Sequence, residues 1–222
     1  PLARISVVYP GLDKDLAPVS DPARLAGVRA RYGLEGPYLL YVGTLQPRKN
    51  LVRLVQAYAR LRSLLAGQDR PPPAPRLVLA GKKGWLYDDI VAQLRSLGLE
   101  GQVLLTGYLP ASDLSALLSG ALAFVYPSLY EGFGLPVLEA MACGTPVICS
   151  ATSSLPEVAG EAALLVDPLE IEALAQAMLR LVEDAELRRE LRARGLQQAG
   201  RFSWRRCARE TLTILEEVAG TT

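Results

Sequence analysis

The sequence contains no histidine. That absence removes His-ligated zinc and every His-based dyad or triad. Any chemistry in these 222 residues must therefore run on carboxylates, lysine, arginine and backbone amides. Cysteine is scarce and odd in number: Cys143, Cys149 and Cys207 form no C-x-x-C pair, and read as reduced thiols of a cytoplasmic chain. Net charge is almost absent, with 24 Lys+Arg against 23 Asp+Glu. This gives no global case for nucleic acid or an anionic membrane as partner, and leaves room for a local basic patch facing one small anion. No run approaches the roughly 18 apolar residues of a membrane span. The chain starts at Pro1 rather than Met, with no signal-peptide pattern after it, which reads as a segment cut from a longer protein.

What is abundant is apolar residues, half of the chain, with Leu and Ala foremost. Such a chain can bury a core without disulfide or metal staples. Residues 1–21 hold a short β-branched run, 5–8, closed by Pro10 and Gly11, and then turn-rich sequence; they read as a connector entering the domain. Asp21 and Pro22 suit the N-cap and first position of a helix over 22–32. Compact apolar runs at 38–42, 77–80, 103–106, 121–126, 146–149 and 163–166 predict six strands. Between them, apolar spacings of three and four predict helices at 51–65, 86–97 (capped by Gly98), 114–118 (started by Ser112 or Asp113) and 135–143 (stopped by Gly144). Residues 68–75 read as a Pro-rich surface linker. Helices at 171–182 and 185–198 follow, and Phe202 and Trp204 open a last one through Leu215.

Strands that are apolar throughout, rather than alternating, mark a parallel sheet covered on both faces. The fold class is therefore α/β, with 22–200 as one Rossmann-like domain and 201–222 as a C-terminal helix. Gly43, Gly81, Gly107 and Pro127 fall at the carboxyl ends of strands, where open α/β sheets bind ligands.

The most informative stretch is 126–140, YPSLYEGFGLPVLEA. Glu131 lies just past a strand, and Gly132 and Gly134 let backbone approach a ligand closely. The helix beginning at Leu135 offers free amides and a dipole to a phosphate. Glu139 sits inside that helix among apolar residues, a costly place for a carboxylate unless donors reach it. A ribose diol would supply them. Two glutamates eight apart mean little as a bare spacing; the preceding strand, Pro127-Ser128, both glycines and Gly144-Thr145-Pro146-Val147 give the pattern its weight. A second element, Val42-Gly43-Thr44-Leu45-Gln46-Pro47-Arg48-Lys49-Asn50-Leu51, puts two cations at a helix N-terminus, where the dipole disfavours them. A bound anion would repair that mismatch.

These two elements resemble the E-x7-E and basic-turn signatures of the retaining GT-B glycosyltransferases of family 4, once called group 1. The resemblance spans essentially the whole chain and matches the C-terminal, donor-binding half of that architecture. It implies that Glu139 binds the ribose hydroxyls, that Glu131 lies close to the transferred sugar, and that the backbone of Gly132, Phe133, Gly134 and Leu135 contacts sugar and phosphates. Arg48 and Lys49 match the pair that binds the donor diphosphate, beside Gly43. Many members carry a further Arg directly after that glycine, where this chain has Thr44. Tyr108 falls where the base-binding loop runs. Ser153, Ser154, Pro156 and Glu157 resemble a short turn with a local structural role. Lys82 and Lys83 either add positive potential or face solvent, and Trp85 and Tyr87 read as cover for the sheet edge.

The implied donor is a nucleoside-diphosphate sugar, a UDP- or GDP-hexose. The implied partner is an N-terminal acceptor-binding domain of the same protein, toward which the final helix packs. A D-x-D pair is read as absent, in keeping with metal-independent transfer and no cofactor. Glu131, Arg48 and Lys49 are the expected catalytic groups. The chain by itself is expected to be inactive in transfer, and the longer protein is cytoplasmic or membrane-peripheral. A non-catalytic nucleotide-sugar module and a GT-B-like sugar-nucleotide epimerase are the rival readings. The joint presence of Glu131, Glu139, Arg48 and Lys49 disfavours the first. The second typically relies on additional acidic and histidine residues.

Overall fold

The structure, a computed structural model, describes residues 5–220. Six strands, β1 (Tyr38–Val42), β2 (Arg76–Ala80), β3 (Val103–Gly107), β4 (Ala123–Tyr126), β5 (Val147–Ser150) and β6 (Ala163–Val166), form one sheet in the order β3-β2-β1-β4-β5-β6. Every pairing is parallel. The fold is Rossmann-like: the chain winds from β1 out to β3, then returns to lay β4 beside β1 and winds the other way.

The helices are α1 (Pro22–Arg31), α2 (Leu51–Ala66), α3 (Tyr87–Ser96), α4 (Ala111–Gly120), α5 (Leu135–Ala142), α6 (Leu155–Ala159), α7 (Ile171–Glu183), α8 (Ala185–Ala199) and α9 (Trp204–Gly220). Asp21 caps α1 as expected, its carboxylate accepting from the Ala23 amide at 3.0 Å. The apolar face of α2, with Leu54, Val55, Tyr58, Leu61 and Leu65 buried, packs against α7 and α3, and α5 packs against α8. Residues 38–41 of β1 and 77–80 of β2 have no exposed surface, because helices cover both faces of the sheet.

Three expectations are corrected. Neither Ser112 nor Asp113 caps α4, which starts after Pro110. Asp113 lies in its first turn, buried against the Arg31 guanidinium at 2.6 Å and the Tyr32 hydroxyl at 2.9 Å, so its carboxylate is taken by tertiary partners. The fourth strand begins at Ala123, since Ala121 terminates α4. The last helix starts at Trp204, after Phe202, and runs beyond Leu215 to Gly220.

Loops 43–50 and 127–134 leave the carboxyl ends of the adjacent strands β1 and β4, the point at which the strand order reverses and at which open α/β sheets bind ligands. Gly81 is needed beside it: φ is +150°, and a Cβ there would lie 1.9 Å from the Gly43 carbonyl oxygen. Residues 5–21 carry neither helix nor strand; Leu12 makes a parallel bridge to Ser203, ahead of α9. Among the described residues no helix is long and apolar enough to cross a membrane.

Candidate functional site

After β1 the chain makes a 3-10 turn, Pro47–Lys49, and Asn50 follows in the left-handed region at φ 60°. Asn50 tolerates that conformation better than most residues. It is anchored there, Nδ2 donating to the Pro168 carbonyl at 2.6 Å and Oδ1 accepting from Arg53 at 3.0 Å. The turn thereby points Arg48 and Lys49 at the loop after β4, and the Leu129 amide ties that loop back to the Arg48 carbonyl at 2.9 Å.

Lys49 donates to Glu131 Oε1 and to the Tyr126 hydroxyl, both at 2.5 Å, and its Nζ lies 4.8 Å from the Tyr126 ring centroid. Arg48 Nη1 donates to Glu131 Oε2 at 3.1 Å and to the Tyr130 carbonyl at 2.6 Å. Lys49 is 7% and Glu131 8% exposed, whereas Arg48 is half exposed. Burial by itself would raise the Glu131 pKa, but the Lys49 hydrogen bond, the nearby Ser128 hydroxyl and the charges of Lys49 and Arg48 outweigh it, and the net shift is downward. Burial lowers the Lys49 pKa, against the pull of Glu131. Sequence reasoning gave the two cations a bound anion as counter-charge; within the chain that counter-charge is Glu131 itself.

The loop carrying Glu131 is held from one side by the turn before α6. The Glu131 amide donates to Ser153 Oγ at 3.1 Å, and Ser154 Oγ donates to the carbonyls of Glu131 at 3.0 Å and Phe133 at 2.7 Å. Gly134 is required at φ +114°, with Leu155 Cδ2 2.7 Å from where a Cβ would stand, while a Cβ on Gly132 would meet nothing. The amides of Gly132, Phe133, Gly134 and Leu135 have no acceptor among the described residues. Pro136 has no N–H, and the Val137 amide already bonds the Gly134 carbonyl at 3.0 Å. The backbone donors left free here are thus those of Gly132, Phe133, Gly134 and Leu135, three loop amides and the first helical residue.

Glu139 lies on the second turn of α5, half-buried, with no bond linking it to the Arg48–Lys49–Glu131 network. Burial first, and then the charge of Asp13, push its pKa up. No donor reaches its carboxylate among the described residues, so it is poised to accept hydrogen bonds. Gly43 ends β1 in backbone contact with Ala80, its amide donating to that carbonyl at 2.9 Å. Tyr108 stands exposed after β3 with Lys82 Nζ 5.0 Å from its ring centroid, and Lys83 similarly covers Tyr87 at 4.8 Å. Tyr87 packs against the core; Trp85, 64% exposed, does not cover the sheet edge as expected. One Asp-x-Asp spacing does exist, Asp13-Lys14-Asp15, outside the motifs. There the Asp15 amide donates to Asp13 Oδ1 at 3.0 Å, a local turn. Tyr126 as the acceptor for Lys49, and Asn50 as the anchor of the basic turn, were not found by sequence reasoning, because each acts through a partner far away in the chain.

Comparison with known proteins identifies the family of the chain. Residues 29–198 match the family model described as "Glycosyl transferases group 1". The chain is 44% identical over 214 residues to O-antigen chain mannosyltransferase B of Escherichia coli, covering 96% of this chain and 54% of that protein. It is 37% identical over 183 residues to the serotype-specific mannosyltransferase WbdA of the same species, covering 82% of this chain and 22% of that protein. Among solved structures, sucrose-phosphate synthase from Thermosynechococcus elongatus superposes with a TM-score of 0.79 at 30% identity, covering 98% of this chain and 53% of that one. The chain therefore spans about half the length, or less, of the relatives it matches.

Proposed function

The chain belongs to the group 1 glycosyl transferases, with the GT-B fold, and from that premise we propose that it is the donor-binding half of a retaining hexosyltransferase that moves mannose from a nucleoside diphosphate to an acceptor. The observation that carries this reading is the convergence of Arg48, Lys49 and Glu131 beside four amides with no acceptor among the described residues, Gly132 to Leu135, at the carboxyl ends of β1 and β4. The choice of mannose rests on the names of the two mannosyltransferases.

In this reading the diphosphate lies against Arg48, Lys49 and the amides. These donors are preorganised where negative charge develops as the anomeric bond breaks, and this charge stabilisation asks nothing of a metal. Glu131 holds Lys49 in place and supports the sugar, while the departing phosphate assists the acceptor on the same face, so that configuration is retained. Glu139 accepts from the ribose hydroxyls, which relieves the cost of its burial. Tyr108, with Lys82 near its ring, offers a face to the base. The acceptor is held by a further domain, toward which α9 packs, and transfer needs both walls of the cleft. The unpaired thiols suit a cytoplasmic protein.

The test is calorimetric titration of this chain with GDP, UDP, their mannose and glucose conjugates, and free nucleosides. Affinity for a nucleoside diphosphate that exceeds affinity for its nucleoside, and holds for the mannose conjugate, is the expected result. Equal affinity for nucleoside and diphosphate would remove Arg48, Lys49 and the amides from the donor site. A clear preference for a glucose conjugate would overturn mannose alone.

A further inference from the structure

Tyr9 from the 5–21 segment, Phe133 from the glycine-rich loop and Phe202 from just before α9 form a closed triangle of rings. Centroids are 5.9 Å apart for Tyr9–Phe133 and 5.8 Å for both Tyr9–Phe202 and Phe133–Phe202; the last two pairs meet edge-on, at 66° and 71°. Edge-to-face contact at these distances is a favoured arrangement of aromatic pairs. Ring contacts of this kind resist sliding more than aliphatic contacts of equal area, because the ring quadrupoles select an orientation.

The triangle joins three segments that are far apart in the chain. The two terminal segments are locked to each other just beyond it: Leu12 bridges Ser203, and a Cβ on Gly11 would stand 2.0 Å from the Trp204 amide nitrogen. They therefore cannot shift separately. The Tyr9 hydroxyl also donates to Glu157 Oε1 on α6, the helix whose leading turn holds the Glu131 loop through Ser153 and Ser154. The loop is thus gripped at the Glu131 amide and at the carbonyls of Glu131 and Phe133 by two serine hydroxyls, and at the ring of Phe133 by Tyr9 and Phe202. The four amides without acceptors among the described residues run through this stretch, from Gly132 to Leu135. Gly132 and Gly134 have no side chain with which to hold them, so Phe133 is the residue through which the terminal segments act on that run.

We propose that Tyr9, Phe133 and Phe202 are positioning residues: their rings fix the direction of the amides from Gly132 to Leu135, and through them the position of the two terminal segments is felt at the anion seat. The inference rests on the donor-diphosphate reading above. It adds that the seat is tuned by residues that never touch the ligand, and that moving the terminal segments moves the seat.

Two measurements on the 222-residue chain decide it. The first compares GDP and UDP with their free nucleosides for the parent, Phe133→Leu, Tyr9→Leu, Phe202→Leu and Tyr9→Phe. Losing two ring contacts should weaken diphosphate binding about tenfold in each Leu variant, while nucleoside binding holds steady and Tyr9→Phe, which keeps its ring, binds like the parent. A general loss of structure would weaken nucleoside and diphosphate together. The second measurement, amide hydrogen exchange at Gly132, Phe133, Gly134 and Leu135 without ligand, should quicken in the Leu variants and not in Tyr9→Phe. Parent-like diphosphate affinity in Tyr9→Leu and Phe202→Leu would overturn the proposal, even if Phe133→Leu fails to fold. Should the parent bind no nucleoside diphosphate, the donor reading falls, and unchanged exchange in the Leu variants would then overturn the loop claim on its own terms.

Discussion

Lys49 Nζ lies 2.5 Å from Glu131 Oε1, although the two residues are 82 positions apart and leave different strands. Their pairing is possible because β4 returns to lie beside β1, so the loops after both strands meet at the same edge of the sheet. Both side chains are nearly buried, and each makes the burial of the other tolerable.

Lys49→Met should therefore affect stability and binding together. Breaking a fully buried pair costs about 3–5 kcal/mol. With Arg48 still on Glu131 and the pair at the edge of the sheet, roughly 1–3 kcal/mol is expected. Loss of a charge-assisted hydrogen bond should also weaken nucleoside diphosphate binding by about one to two orders of magnitude. Urea unfolding and calorimetry of Lys49→Met, Glu131→Gln and the double variant measure both. Additive stability losses would show that the pair is not coupled.

The two glutamates should respond to pH in opposite directions. The Glu131 pKa is depressed, so the folded chain holds that proton more weakly than the unfolded one. Its stabilisation is complete above the ordinary carboxylate range and is lost as pH falls through the depressed value. The Glu139 pKa is raised, so its burial costs stability above the raised value, and that cost fades as pH falls through the raised value to the ordinary one. Glu131→Gln should lower Tm at neutral pH and Glu139→Gln should raise it, with both differences shrinking in acid. Melting curves across the acid range that move in the same sense for both variants would contradict the assignment.

Glu139→Gln should at the same time weaken nucleotide binding. Replacing a carboxylate by an amide reduces acceptance from two hydroxyls, so the variant should lose affinity for ribonucleotides and little for 2′-deoxyribonucleotides. A double-mutant cycle over parent, variant, ribose and deoxyribose ligands reads the coupling, expected at about 1–2 kcal/mol. Zero coupling would make Glu139 a residue buried for structural reasons alone.

The glycines of the site should separate by role. Gly81→Ala drives a Cβ into the Gly43 carbonyl, and Gly134→Ala meets a positive φ and the Leu155 side chain. The first is expected to cost more than about 3 kcal/mol and the second about 1–3 kcal/mol. Gly132→Ala, whose Cβ meets nothing within 4 Å, should leave Tm nearly unchanged and weaken diphosphate binding by intruding on the amide run. A Gly132→Ala chain that binds like the parent would place the anion elsewhere.

Much of the fold was legible in sequence because burial on both faces leaves a local signature: the apolar run at 38–42 coincides with β1, and the run at 77–80 with the buried part of β2. Helix ends were legible where the cap is local, as at Asp21, and misread where tertiary contact claimed the candidate, as with Asp113 and Arg31. The short α6 went unread, since five residues between turns give no periodicity. At the site, the residues of both motifs were named from sequence, but the Tyr126 hydroxyl under Lys49 and the ring of Tyr9 against Phe133 were not.

By itself the sequence determined the α/β class, the strand ends that carry glycine, and the residue types available for chemistry, because these depend on local periodicity and composition. It also placed Glu131 and Glu139 on one loop-helix unit, a matter of eight residues of spacing. Only the tertiary structure decided that Glu131 serves as the counter-charge of Arg48 and Lys49 while Glu139 has no donor among the described residues. Local sequence cannot encode that difference. A carboxylate's partner and its pKa depend on which distant charges the folded chain brings within hydrogen-bond reach and how much water it removes. Those distances are set when β4 pairs with β1.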